Sequence, residues 1–278
     1  MVKVVTDSCS DIPSQMAQQL GITVVPLSIR FGDEIFRDGV DLSAEEFYAR
    51  LIRGPAWPKT ISPSPGDFVE TYGRLAAETN EIVSIHISAR LSGTYNSAQV
   101  GKEQLKQACR VEVIDSLMAS MGVGLLAIIA TKAALAGANL DQITALIHEA
   151  MPRTHYFGFV DTLEYLHKGG RLGKGQVFLG SMLNIKPLLH VQDGEVHPLE
   201  RVRSRPKAFA RLCELTKNFH SIEEMVTMHT TTPDEARKLN TLLSPLAPEG
   251  HMYEATVGPT IGTYLGPGAL TIGIIGGK

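Results

Sequence analysis

The stretch Ile82-Val83-Ser84-Ile85-His86-Ile87-Ser88-Ala89-Arg90-Leu91-Ser92-Gly93-Thr94-Tyr95-Asn96-Ser97-Ala98 reads as a strand, a short polar loop and a helix. In an open α/β sheet, ligands sit outside the carboxyl ends of the strands, where a helix N-terminus offers unpaired N–H groups and a partial positive charge. Ser92 at or near the cap, with Gly93 allowing close approach of the backbone, fits an anion site. The same serine fits a plainer role, capping its own helix. The local pattern alone does not choose between them.

Working outward, Val2 to Thr6, Ile22 to Phe31 and Val111 to Ile114 are also rich in β-branched residues, and helical stretches separate most of these runs. That alternation predicts a parallel α/β domain. The uncharged run between Asp115 and Lys132, through Met121, Leu125, Ile128 and Ile129, is shorter than the ~20 residues a bilayer requires. It predicts a helix buried on all sides, with a large domain or a lipid beside it. His155 to Val160 reads as a new strand after Pro152, and Asp193-Gly194 between two strand-like runs predicts a type I′ hairpin. Phe209, Leu212, Leu215 and Phe219 then fall on one helical face, and Thr232-Pro233-Asp234-Glu235 matches a capping box. The fold class expected is α/β: an N-terminal parallel-sheet α/β domain over residues 1–153 and a C-terminal α+β domain over residues 154–278.

Composition narrows the function classes. The chain has 278 residues, with 26 Lys+Arg against 29 Asp+Glu and a formal charge of −3. Its basic residues are spread along the sequence, so the footprint needed for a phosphate backbone is absent and no nucleic acid partner is expected. Cys9, Cys109 and Cys213 are far apart, form no CxxC pair and have no histidine spaced to complete a zinc site, which leaves no metal site and reads as thiols in a reducing cytosol. Strand-like residues begin at Val2 with no secretion signal before them, so a cytoplasmic location is expected, with no transmembrane segment.

A second polar loop, Lys59-Thr60-Ile61-Ser62-Pro63-Ser64-Pro65-Gly66-Asp67-Phe68, places three hydroxyls before a helix. Ser64 as cap and Pro65 in the first turn explain its second half. They do not account for Thr60 and Ser62. Together with Thr6-Asp7-Ser8, Leu91-Ser92-Gly93-Thr94-Tyr95, Lys168-Gly169-Gly170-Arg171 and Gly266-Pro267-Gly268-Ala269, this loop resembles the DegV family over nearly the whole chain. Five motifs in the same order are specific where each alone is weak.

The resemblance implies two α/β-type domains with a long-chain fatty acid buried between them and its carboxylate at the hydroxyl loops. It also implies that such a protein serves as the acyl-binding subunit of a bacterial fatty-acid kinase, whose catalytic subunit binds ATP; no cofactor belongs to this chain. Carried over by position, Thr60 and Ser92 are the carboxylate ligands, with the Gly93 backbone beside them and Ser62 a neighbour. Where the family often has a histidine before Gly-Pro-Gly-Ala, this chain has Tyr264, whose phenol can donate one hydrogen bond but supplies no cation. Ile61 stands where a polar residue is common and is expected to dry the loop. Arg171 and Arg203 match basic positions suited to docking the kinase. The lipid tunnel is expected along Leu125, Ile128 and Ile129.

Catalytic alternatives are thinly supported. Gly170-Arg171-Leu172-Gly173-Lys174-Gly175 has the wrong spacing for a phosphate loop, and Gly122-Val123-Gly124-Leu125-Leu126-Ala127 matches a dinucleotide fingerprint only inside the apolar helix. A phosphotransferase or hydrolase using Ser92 as nucleophile would need a base, for which His86 and Tyr95 are the near candidates. His86 reads better as a satisfied buried histidine.

Overall fold

A computed structural model describes residues 1–54, 56–181 and 185–277. Lys278, the last residue of the second expected domain, lies outside them. The first part of the chain runs β1 (Lys3–Asp7), α1 (Ser14–Leu20), β2 (Thr23–Val25), β3 (Ser28–Phe31), β4 (Glu34–Arg37), α2 (Ala44–Arg53), β5 (Lys59–Ile61), α3 (Pro65–Ala76), β6 (Glu81–His86), α4 (Thr94–Gln104), β7 (Arg110–Asp115), α5 (Met121–Leu135) and α6 (Leu140–Ala150). The second part runs β8 (Thr154–Phe159), α7 (Glu164–Lys168), β9 (Lys186–Gln192), β10 (Glu195–Val202), α8 (Arg205–Lys217), β11 (His220–His229), α9 (Pro233–Leu243), β12 (Met252–Thr256), α10 (Pro259–Leu265) and β13 (Leu270–Gly277).

Strands β2-β1-β6-β7 form a fully parallel sheet, as the alternation predicts. Because β1 hands the chain to β2 on one side and pairs with β6 on the other, a crevice opens at the carboxyl ends of β1 and β6. The mixed α/β reading holds, with one addition. Ile22 to Phe31 is two strands, interrupted at Pro26; β3 leaves the parallel sheet and pairs antiparallel with β4 and β5. Proline offers no N–H for a ladder, so the chain changes sheet there. The second part builds a six-stranded sheet, β10-β9-β8-β13-β11-β12, antiparallel except for β11 with β12.

The hairpin forms as read. Asp193 and Gly194 have φ of 51° and 78°, and Gln192 pairs with Glu195 across the turn. Its tip touches the first part of the chain: Ser88 Oγ donates to the Gly194 carbonyl at 2.9 Å. The capping box at Thr232 does not form. Helix α9 does begin at Pro233, but Thr232 makes no side-chain cap bond, and Glu235 is taken by the Arg205 guanidinium. Ser64 caps α3 through a complete capping box with Asp67.

Helix α5 fixes how the halves join. It is buried on nearly every face, and one apolar cluster runs from Val4, Val83 and Ile85 through Leu125, Leu126 and Ile128 to Tyr156, Val226, Met228 and Ile275. Strands from both parts of the chain therefore share a core across residue 153. The helix comes close to the larger sheet at Gly273, where an added Cβ would sit 2.9 Å from Val226 Cγ1 and 3.5 Å from Leu125 Cδ1. Gly273→Val is expected to overpack this layer and cost about 1–3 kcal/mol in urea unfolding with an unchanged m-value. A stability equal to the parent's would mean that α5 is free to shift.

Candidate functional site

Three chain segments meet over the crevice. The turn after β1 (Ser8–Ser10) contributes Cys9; the loop after β6 contributes Ile87, Leu91 and Ser92; and α10, packed across them, contributes Thr260, Ile261, Tyr264 and Leu265. With Thr60, Ala119, Tyr156, Leu166, Arg171, Val191 and Val196 they line a narrow cavity of about 70 Å³. A second void of about 40 Å³ shares Tyr156, Leu166, Val191, Val196 and Leu265 with it and continues past Gly158, Val160 and Leu189 to Thr271. The path runs over the face of the six-stranded sheet turned toward the first part of the chain.

Polar side chains gather at one end of this path. Thr60 Oγ1 and the Tyr264 hydroxyl are 2.5 Å apart, Ser62 Oγ and Ser92 Oγ are 3.0 Å apart, and Ser92 Oγ lies 2.8 Å from Thr94 Oγ1. The two hydroxyl loops thus converge, and Tyr264 joins them. The Thr94 amide donates to Ser92 Oγ at 3.3 Å, and a Cβ on Gly93 would sit 3.8 Å from Ser62 Oγ, so residues 92–94 form the open entry to α4. Arg171 lies in the cavity wall. Its Nε donates to the Leu91 carbonyl at 3.1 Å, its Nη1 to Gly169 at 2.8 Å, and the guanidinium is 5.1 Å from the centre of the Tyr264 ring. Arg171, which sequence reading placed on a docking surface, is exposed and also reaches the Leu91 carbonyl and the Tyr264 ring. Arg203 is exposed, between β10 and α8.

Other expected residues lie elsewhere. Leu125, Ile128 and Ile129 do not line either void: the first two are fully buried members of the shared core and Ile129 packs against it, because α5 is enclosed by protein on its own account. From this region it is Ala119, just before α5, that reaches the cavity. Ile61 is 41% exposed, because alternation along β5 turns Thr60 inward and its neighbour outward.

Among the described residues, neither His86 nor Tyr95 addresses Ser92. His86 is fully buried with both ring nitrogens engaged, Nδ1 to Asp7 at 2.8 Å and Nε2 to Ser84 Oγ at 2.7 Å, and Ser84 also accepts from Tyr72. The Tyr95 hydroxyl accepts from Gln99. Asp7, besides holding His86, accepts from the Cys9 and Ile87 amides and so ties the loop after β1 to the loop after β6. Burial, followed by the Asp7 charge, pushes the Cys9 thiol well up, so the cavity's one thiol stays protonated.

Between the two parts of the chain, Trp57 stacks on Tyr165 with ring centres 4.8 Å apart, and Lys168 Nζ lies 4.4 Å from the indole centre. Tyr165 in turn fills the space beside Gly266, where any Cβ would strike its ring. Sequence reading passed over Trp57, Tyr165 and Leu166, which carry no motif of their own.

Residues 1–276 match the model of a family described as "Uncharacterised protein, DegV family". The chain belongs to the DegV family. It is 38% identical over 276 residues to a DegV domain-containing protein of Halalkalibacterium halodurans, covering 97% of this chain and 96% of that one. Among solved structures, a DegV family protein from Thermus thermophilus described by its fatty acid binding superposes with a TM-score of 0.91 at 31% identity, covering 99% of both chains. DegV of Bacillus subtilis, described as a fatty acid binding protein, gives 0.90 at 31% identity and the same coverage. A stearic acid-binding protein from Eubacterium ventriosum gives 0.89 at 25% identity, covering 99% of this chain and 98% of that one. No helix among the described residues of this DegV-family chain is long and apolar enough to cross a membrane.

Two buried carboxylates hold α10, and with it Tyr264, in place. Asp11 accepts from the Gly258 amide at 2.9 Å, and Asp38 accepts from the Thr260 amide at 3.2 Å and from its hydroxyl at 2.5 Å. Burial raises the Asp38 pKa from 3.8 to about 6, although hydrogen bonds from Thr260 and Ser8 act the other way. Burial also drives Asp11 well up, with its Ser120 hydrogen bond opposing and the Asp38 charge adding. Between 3.8 and about 6 the folded state therefore binds a proton at Asp38 that the unfolded chain has lost, so this group's contribution to stability falls as pH rises through that window. His229, whose pKa burial lowers, works in the opposite direction nearby. Subtracting the Asp38→Asn profile from the parent's isolates the term: in thermal unfolding from about pH 5 to about pH 7.5, the parent is expected to lose stability relative to the variant. Parallel profiles would place Asp38 in contact with water.

Proposed function

We propose that this chain binds one long-chain fatty acid, with its carboxylate at Thr60, Ser92, Tyr264 and the N–H groups at Gly93, and presents it to a separate ATP-dependent fatty-acid kinase. The observation that carries the reading is a largely apolar path with Thr60, Ser92 and Tyr264 gathered at one end beside Arg171. An acyl tail gains about 0.8 kcal/mol per buried methylene, so about sixteen carbons supply ample driving force even after ordering and association costs. A bare carboxylate in that space would be expensive, and the hydroxyls, amides and guanidinium meet its hydrogen-bonding demand. Arg171 serves here as the counter-charge for the head group. Ser62 supports Ser92 through their shared hydrogen bond.

The path is tighter than such a tail, so loading moves Leu166 of α7 and Leu265 of α10 away from Val191. Relatives of the same fold described as fatty acid binding proteins support the class of ligand. The protein has no turnover of its own in this reading, and the hydroxyl partners of Ser92, with no base among them, agree with that. Three free cysteines accord with the cytoplasm, where the partner finds ATP. In this reading residues 1–153 and residues 154–278 are two domains that wall the cavity together.

Denaturing extraction followed by mass spectrometry is expected to release a stoichiometric fatty acid, and Ser92→Ala is expected to weaken its rebinding by roughly 10- to 150-fold, the equivalent of about 1.5–3 kcal/mol for hydrogen bonds to a charged group. An empty extract together with failure to bind added fatty acids would sink the proposal. Arg203→Ala, on the exposed turn, is expected to leave lipid affinity unchanged while slowing acyl-phosphate formation by a cognate kinase. Equal loss of both would assign Arg203 a structural role.

A further inference from the structure

Four buried polar side chains behind the cavity form one line. The Tyr72 hydroxyl donates to Ser84 Oγ at 2.8 Å, Ser84 Oγ lies 2.7 Å from His86 Nε2, and His86 Nδ1 lies 2.8 Å from Asp7 Oδ2. All four residues are fully buried. Asp7 already accepts two backbone amides, so one proton order satisfies every member: Ser84 donates to Nε2, and Nδ1 donates to Asp7. Polar groups sealed in a sheet lose their hydration, and well-packed apolar replacements are often as stable, so stability alone is a weak reason for such a line.

Its position supplies another. Asp7 Oδ1 accepts from the Cys9 amide at 2.9 Å and Oδ2 from the Ile87 amide at 3.1 Å, and both of those residues line the cavity. Ile87 leads into the turn whose Leu91 and Ser92 amides both donate to the Ser88 carbonyl. On the far side, the Phe68 ring stands edge-on to the imidazole with centres 5.1 Å apart. Phe68 and Tyr72 belong to α3, which follows the loop of Thr60 and Ser62. The line therefore touches every segment that brings a serine or threonine hydroxyl to the head-group end. Each Asp7 oxygen takes one backbone amide, so in an asparagine the side-chain nitrogen would face an N–H in either orientation.

We propose that Asp7 and His86 are the positioning residues of the head-group site: by fixing the Cys9 and Ile87 amides they set where Ser92 stands relative to Thr60 and Tyr264, and so how strongly a carboxylate is preferred over a neutral head group. The inference rests on the acyl-binding reading above. A carboxylate needs several donors in place at once, and its hydrogen bonds are stronger than those of a neutral hydroxyl, which can turn to suit one partner. Displacing Ser92 therefore weakens the acid more than the alcohol of the same chain length.

The test is calorimetric titration of the delipidated full chain with palmitate and with hexadecan-1-ol, in the parent and in variants. His86→Asn keeps a donor at the place of Nδ1 and loses the reach to Ser84; His86→Gln keeps the reach and loses the donor to Asp7; both remove the ring from Phe68 alike. His86→Gln is expected to weaken palmitate by about 10-fold or more and hexadecan-1-ol by about 3-fold or less, whereas His86→Asn weakens either by about 3-fold or less. Asp7→Asn, nearly the parent's shape, is expected to weaken palmitate about 10-fold with the alcohol little changed, and it carries the test where His86→Gln does not fold. The proposal is overturned if His86→Asn and His86→Gln weaken palmitate equally, or if Asp7→Asn weakens the acid and the alcohol equally. A parent that binds neither compound overturns the acyl-binding reading and this inference with it.

Discussion

Enclosure of α5 by apolar surface on both sides is the constraint on which the rest depends. A helix of fifteen residues with scarcely a polar face cannot be left at the edge of one sheet, so a second sheet has to cover it. Once it does, the carboxyl ends of β1 and β6 are roofed by α10 and the β9–β10 hairpin, and a crevice that would be open in a single α/β layer becomes an enclosed path. The cavity is thus a by-product of how the two sheets share one helix. The apolar residues that demand the arrangement are not those that line the cavity.

That separation explains what could be read from the sequence. The parallel sheet was legible because Val2 to Thr6, Ile82 to Ile87 and Val111 to Ile114 are largely buried and rich in β-branched side chains. The hairpin was legible because Asp193-Gly194 needs positive φ at both positions. The three-stranded sheet was not, since β3, β4 and β5 have only three or four residues each, too few for alternation to stand out. Thr232 carries a capping signal whose Glu235 is claimed by Arg205, a long-range partner that no local pattern discloses.

The site divides in the same way. Thr60, Ser62 and Ser92 stand out as hydroxyls in loops with more polar groups than a helix entrance needs, and they converge. Arg171 is visible as a charge, but whether an arginine faces water or a cavity depends on the ring and carbonyl it meets, here Tyr264 and Leu91. Asp11 and Asp38 belong to no motif and are brought together only because the turns after β1 and β4 both meet the start of α10.

The Trp57–Tyr165 clasp makes the molecule its own optical gauge. Trp57 is the chain's one tryptophan, and it rests on Tyr165 of α7 beneath the ammonium of Lys168. An indole stacked in this way has its emission set by a ring and a charge carried on the opposite part of the chain. Any parting of β5 from α7 changes its surroundings at once, while motions elsewhere leave it dark to them. Intrinsic fluorescence from this protein therefore reports on a single seam, with no label added, and the kinetics of opening are readable from native protein in a stopped-flow cell.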